Sequence, residues 1–117
     1  MGSKRRLRRM VMDGDVRLWS VHHRHPDCRE VLTVHREGGG TLRIVFRPGP
    51  GRFVPDGFLH SGQVADDRDG VLNLHLPGAV RQLLDEARAQ GLEVPDRGTA
   101  EADGWPLFDA VTAEGRA

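Results

Sequence analysis

Apolar and polar residues alternate through the first half of the chain, and turn signals break the alternation at regular intervals. Runs at about 6–12, 16–24, 29–37 and 41–47 have the period of two expected of strands with one buried face. Between them stand Asp13-Gly14-Asp15, His25-Pro26-Asp27-Cys28 and Gly38-Gly39-Gly40, each rich in residues that tolerate tight turns. The pattern predicts an antiparallel meander. If His25 faces Cys28, then Val21 faces Leu32 and Trp19 faces Val34. If Glu37 faces Thr41, then Val34 meets Ile44 and Leu32 meets Phe46. Both hairpins then place Trp19, Val21, Leu32, Val34, Leu42, Ile44 and Phe46 on one face, and a slip by one residue would scatter the set. The first strand is ambiguous, since either Met10 and Met12 or Leu7 and Val11 could point inward.

The pattern changes after residue 47. Positions 48–63 are rich in Gly and Pro and read as a long connection. Asp66-Asp67-Arg68-Asp69-Gly70 reads as a turn into a strand at Val71–Leu76. The period then becomes helical. Val80, Leu83, Leu84 and Ala87 follow i, i+3, i+4, i+7, with Pro77 at the first helical position and Gly91 just past the end, which predicts a helix from about Pro77 to Gln90. Its stripe can cover the apolar face of the sheet. Arg81 and Asp85 form an exposed i,i+4 pair worth only tenths of a kcal/mol. Gly104–Val111 is apolar but short, and a short helix against the core is expected there. The fold class is therefore α+β: a mainly antiparallel four- to five-stranded sheet with one principal helix packed on its apolar face. Length fits one domain spanning 1–117, with fraying expected at 1–5 and 113–117.

Charge sharpens this outline. The chain carries 17 basic and 17 acidic side chains, but the halves are opposite in sign. Residues 1–59 hold twelve basic and six acidic groups, and residues 60–117 hold five and eleven. Such polarity points to an acidic partner or to attraction between the halves. Arg outnumbers Lys sixteen to one, a skew that matches GC-rich coding and weakens the reading of every Arg as functional. The single cysteine, Cys28, excludes an internal disulfide and suits a reducing compartment. The basic residues Lys4–Arg9 are followed by no apolar segment of the length a secretory signal needs, so a cytoplasmic protein is expected. No run is long and apolar enough to suggest a membrane partner.

Two constellations could carry chemistry. Opposite the core face, His22 and His35 share a surface with Arg24, Arg29, Arg43 and Arg47, and with Ser20 and Thr33. Guanidinium forks there suit carboxylates and phosphates. The expected function is a non-enzymatic interaction module that uses this face to engage an acidic protein surface or to self-associate. Nucleic acid is the alternative, although the face has only Leu18, Val31 and Val45 where single-strand binders carry aromatic platforms. Simple solvation of the face, with its cations paired to the acidic half, is the plainer account.

The second constellation is the hairpin end, where His23, His25, Cys28 and Glu30 fall on one side as potential ligands for zinc or another borderline metal. Their spacing matches no established zinc pattern, and Arg24 and Arg29 stand next to them in sequence. A polar hairpin end with a His–Glu cross-strand pair is the plainer reading, and a metal-binding protein or hydrolase built there is the second alternative. No cofactor is otherwise expected. No catalytic trio can be identified by spacing: Ser61 beside His60 lacks an orienting third group, and Asp67-Arg68-Asp69-Gly70 lacks the rest of a calcium loop. Pro48–Arg52 lacks the Gly-Lys-Ser/Thr ending of a phosphate loop.

The stretch Val71-Leu72-Asn73-Leu74-His75-Leu76-Pro77-Gly78-Ala79-Val80-Arg81-Gln82-Leu83-Leu84-Asp85-Glu86-Ala87, with Gly91 and Asp103-Gly104-Trp105, resembles small proteins of GC-rich actinobacteria. The resemblance covers about forty residues and implies no activity.

Overall fold

In a computed structural model, residues 7–55 and 61–116 are described. Strands β1 (Arg8–Met12), β2 (Asp15–Arg24), β3 (Arg29–Arg36), β4 (Thr41–Phe46), β5 (Arg52–Phe53), β6 (Gln63–Asp66) and β7 (Val71–Asn73) precede helix α1 (Pro77–Ala89). Strand β8 (Thr99–Asp103) and helix α2 (Trp105–Arg116) complete the order. The main sheet runs β1-β2-β3-β4-β8, antiparallel except for the parallel β4–β8 pair. A smaller antiparallel sheet, β5-β6-β7, forms beside it.

The meander follows from its turns. Asp13 (φ 52°) and Gly14 (φ 85°) both adopt positive φ, as a two-residue turn matched to strand twist requires. The β2–β3 register is the predicted one, with Trp19 opposite Val34 and Val21 opposite Leu32. The β3–β4 register differs from the expectation by two residues. Val34 meets Leu42, Leu32 meets Ile44, and Glu30 meets Phe46. The reason lies in the glycines. Gly40 donates to the Pro95 carbonyl (2.9 Å), and a Cβ on it would lie 2.5 Å from the Gly98 oxygen, so this residue is pressed against the 95–98 segment. The Arg36–Gly40 loop closes instead through Gly39 N–H to the Arg36 carbonyl and Arg36 N–H to Gly40. A shift of two preserves each side chain's face, so the predicted core set survives it.

That core set is buried: Trp19, Leu32, Val34, Leu42, Ile44 and Phe46, with Val21 half-buried against them. Strand β1 resolves its ambiguity with Met10 and Met12 inward and Val11 outward. Helix α1 lies within one residue of its predicted end and contributes Val80, Leu83, Leu84 and Ala87 to the same core. The apolar tail is a true second helix. Gly104 accepts the first helical bond from Phe108 N–H (2.9 Å), and Asp103 Oδ1 accepts from Trp105 N–H (3.1 Å). Leu107 and Phe108 are wholly buried, and Trp105 and Val111 nearly so. The indole of Trp105 donates to the Arg47 carbonyl (2.8 Å) and sits edge-on to Phe46 and Phe108.

Other expectations need correction. The segment from 48 is not a featureless connection, because β5 and β6 form within and after it. The strand expected at 71–76 ends at Asn73, where Leu76 N–H turns back to the Asn73 carbonyl (3.0 Å). Strand β8 was not anticipated at all. Helix α2 continues to Arg116, through most of the tail in which fraying is expected, and residues 1–5 lie outside the described ones. No helix among the described residues is long and apolar enough to cross a membrane.

Candidate functional site

The outer face of the main sheet is assembled by strand parity. From β2 it takes Leu18, Ser20, His22 and Arg24; from β3, Arg29, Val31, Thr33 and His35; from β4, Thr41, Arg43 and Val45. The six sequence-predicted partner-binding residues therefore do share a side, with Arg47 just beyond the end of β4. They do not form a uniformly solvated basic surface. Ser20, Val31, Thr33 and Val45 at its centre are buried, while His22, Arg29, His35 and Arg43 are half-buried. His35 Nδ1 is spent on the Thr41 hydroxyl at 2.8 Å. Arg29 pairs with Asp27 (3.6 Å) and Arg47 with Glu101 (3.2 Å).

Strand β8 changes the electrostatics of this face. Its alternating polar residues, Thr99, Glu101 and Asp103, are exposed, and the register sets Glu101 beside Arg43 and Asp103 beside Val45. Carboxylates thus border the arginines on one flank. The signal was present in Thr-Ala-Glu-Ala-Asp, a clean alternation, but alanine carries little strand propensity and so hides it.

The opposite flank is different. Leu7 and Val11 are each 53% exposed, and Arg9 stands between them on the outer side of β1. Arg9, Arg24 and Arg43 form no ion pair or hydrogen bond among the described residues. Arg8 points the other way. Its guanidinium lies over the Trp19 ring, 4.7 Å from the centroid, and donates to the His75 carbonyl, so Arg8 does not join the outer face.

Part of the charge polarity is satisfied internally. Asp13–Arg88 joins the halves in the opposite sense, but three ion pairs among the described residues join arginines of the basic first half to carboxylates of the acidic second: Arg36–Asp96 (3.1 Å), Arg47–Glu101 and Arg52–Asp109. The last is the best built. Both guanidinium nitrogens of Arg52 reach the Asp109 carboxylate (2.6 and 2.8 Å), and the same group lies 4.9 Å from the Trp105 ring centroid. The Arg52 hydrogen bond holds the Asp109 carboxyl below its ordinary value, and Asp109 in turn holds Arg52 protonated. Arg88 does the same to Asp13 at the β1–β2 turn. These pairs fasten the small sheet to α2, and the first turn to α1.

At the far end of the β2–β3 hairpin, His23, His25 and Cys28 offer ligand atoms that lie within 4.8 Å of one another. The Cys28 sulfur is 3.9 Å from His25 Nδ1, and the two imidazole rings meet edge to face at 4.7 Å. Glu30 stands behind this group. Its carboxylate is fully buried, with one oxygen 2.7 Å from His23 Nδ1 and the other accepting from Gly62 N–H at 2.8 Å. In this turn the His25–Pro26 peptide is cis and Cys28 has φ 50°.

Elsewhere, Ser61 Oγ lies 3.3 Å from His75 Nε2, a pair that sequence spacing did not reveal; the His60 of the sequence reading lies outside the described residues. Among the described residues no carboxylate orients the other nitrogen of that imidazole, so the arrangement lacks the third group that nucleophile activation uses. Asp66 accepts from the Arg68 and Gly70 amides (3.0 and 2.7 Å), which is turn chemistry.

Comparison of the chain with family models, with curated proteins and with solved structures finds no match.

Proposed function

We propose that the protein is a non-enzymatic interaction module, and that the β1 side of its outer sheet face engages an acidic surface of another protein. The observation that carries this reading is the coincidence, on one flank, of two exposed aliphatic side chains with an arginine, Arg9, whose side chain has no partner among the described residues. Leu7 and Val11 flank Arg9, and the half-buried Leu18 lies across from Arg9; Arg24 is on the same face but farther along β2, past the start of β1 and opposite Arg29. An apolar patch bordered by an unpaired cation is what a docking surface for an acidic, partly apolar partner requires. Among the described residues, strand β1 is also an edge strand, with β2 on one side only. Its outer backbone groups can accept an extended segment of a partner.

Two alternatives are less well supported. Self-association through the acidic half would compete with the three ion pairs its carboxylates already make within one chain. Nucleic acid would meet Glu101 and Asp103 on the opposite flank of the same face, and carboxylates repel phosphates.

The test is a photoreactive residue placed at Val11, with a control at the equally exposed Phe53 on the small sheet. A discrete protein adduct is expected at position 11 in extracts of the source cells, absent at position 53 and lost in the Arg9→Glu/Arg24→Glu variant. Adducts of equal yield at both positions, or an adduct that nuclease removes, would sink the reading.

A further inference from the structure

We propose that the end of the β2–β3 hairpin binds a borderline first-row divalent cation, zinc foremost. The ligands are His23, His25 and the thiolate of Cys28, and Glu30 is the carboxylate that orients His23.

The argument begins with donor chemistry. Two imidazoles and a thiol form a mixed N/S set, which selects metals such as Zn²⁺ over the oxygen-seeking Mg²⁺ and Ca²⁺. Separation comes next. Metal–nitrogen distances near 2.0–2.1 Å and metal–sulfur near 2.3 Å imply ligand atoms roughly 3.3–3.6 Å apart in a tetrahedron. The three donors lie within 4.8 Å of one another, and the Cys28–His25 pair is at 3.9 Å. Closing the remaining gap takes about 1 Å of side-chain movement at a turn where His25 is exposed and Cys28 half-exposed.

Glu30 supplies the second, independent observation. A fully buried carboxylate needs a reason to be there, and this one spends an oxygen on His23 Nδ1. A histidine held at Nδ1 by a carboxylate has its tautomer fixed, and its Nε2 is left as the nitrogen able to ligate. This is the arrangement that metal-bound imidazoles commonly need behind them. Because the other Glu30 oxygen is taken by Gly62 N–H, Glu30 itself stays outside the ligand set. The donors therefore number three, not the four that sequence spacing suggested.

The neighbouring arginines do not oppose a cation as their sequence positions imply. Strand parity sends Arg24 and Arg29 to the outer face, away from His23 and Glu30, and Arg29 is paired with Asp27. On binding, the Cys28 thiol loses its proton to solvent and sulfur bonds the metal, so affinity rises with pH. Three protein donors leave a fourth position for water or for a ligand brought by a partner.

The metal-free full chain, titrated with Zn²⁺ against a chromophoric chelator and separately with Co²⁺, decides the matter. We expect one Zn²⁺ per chain and a thiolate-to-cobalt charge-transfer band in the near ultraviolet. Cys28→Ser should abolish that band, and His25→Ala should weaken binding. Glu30→Gln should keep the band but lower Zn²⁺ affinity by about 10–100-fold. His75→Ala, which removes an exposed histidine outside the cluster, should change nothing. Circular dichroism of each variant separates lost binding from lost fold, and His25→Ala, at an exposed turn position, remains informative if Glu30→Gln unfolds. Absence of 1:1 Zn²⁺ binding by the unaltered chain would overturn the proposal. Zn²⁺ affinity unchanged in both Cys28→Ser and His25→Ala would overturn it equally.

Discussion

The two faces of the five-stranded sheet are made from the same strands and differ in almost every other respect. The inner face holds Trp19, Leu32, Val34, Leu42, Ile44 and Phe46, all buried in a core shared with both helices and the small sheet. The outer face mixes Ser20, Thr33, His22 and His35 with valines and arginines, and its rim is exposed. A strand's period of two lets one sequence answer two separate demands. Residues of the inner face, and Val31 and Val45 at the centre of the outer one, exclude water, whereas the outer rim is exposed. Stability should therefore respond to the inner positions and to that buried centre, and partner binding to the outer rim.

The largest expected effect lies on the inner face. Leu32 is wholly buried on the central strand, and Leu32→Ala should cost about 2–5 kcal/mol by removing buried methyls and leaving a cavity. Denaturant unfolding measures it, and a loss below about 1 kcal/mol would place the core elsewhere. Next comes Gly104→Ala. An added Cβ would stand 2.5 Å from the Phe46 ring, at the point where α2 starts and Gly104 N–H donates to the Val45 carbonyl (2.8 Å). The expected cost is about 1–3 kcal/mol, seen as a lower melting temperature.

Asp109→Asn should do less, at most about 1 kcal/mol, because this pair is half-exposed and screened by salt. Its pH signature is specific. Arg52 lowers the Asp109 carboxyl, so the pair's contribution is complete above the ordinary carboxylate range and fades as pH falls through the lowered value. The Asn variant should show a shallower acid loss of stability than the parent, and identical acid limbs would remove the clamp from the account. Smallest of all, Val11→Ser on the outer face should change stability by no more than about 0.5 kcal/mol. A loss approaching that of Leu32→Ala would mean that the outer flank is part of the core.

The inner face was readable from the sequence because hydrophobic periodicity encodes it redundantly. Three strands and a helix repeat the same statement, and a two-residue error at Gly38–Gly40 left the set intact. The outer face was readable only as a parity class. Which of its arginines are free depends on β8, whose alanines give a weak strand signal, and on Glu101, which claims Arg47 from far along the chain. The hairpin site was legible as a cluster, since His23, His25, Cys28 and Glu30 meet through local turn geometry. What the local pattern could not give was the Gly62 amide on Glu30, a contact across 32 positions that removes Glu30 from the donors. Nor did spacing reveal Ser61 against His75, which two separate strand ends bring together.

The polarity of charge between the halves illustrates the same limit. Sequence alone admits a polyanionic partner or mutual attraction, and Arg36–Asp96, Arg47–Glu101 and Arg52–Asp109 account for part of it within one chain. Among the described residues of the outer face, Arg9, Arg24 and Arg43 make no ion pair, and Arg9 stands between Leu7 and Val11. The division of labour between the faces comes down to whether these residues bind without stabilising. The most direct measurement compares Arg9→Glu/Arg24→Glu with the parent in two readouts, chemical unfolding and photo-crosslinking from position 11 in source-cell extract. The account predicts unchanged stability and loss of the protein adduct. Retention of the adduct in a folded variant would contradict it.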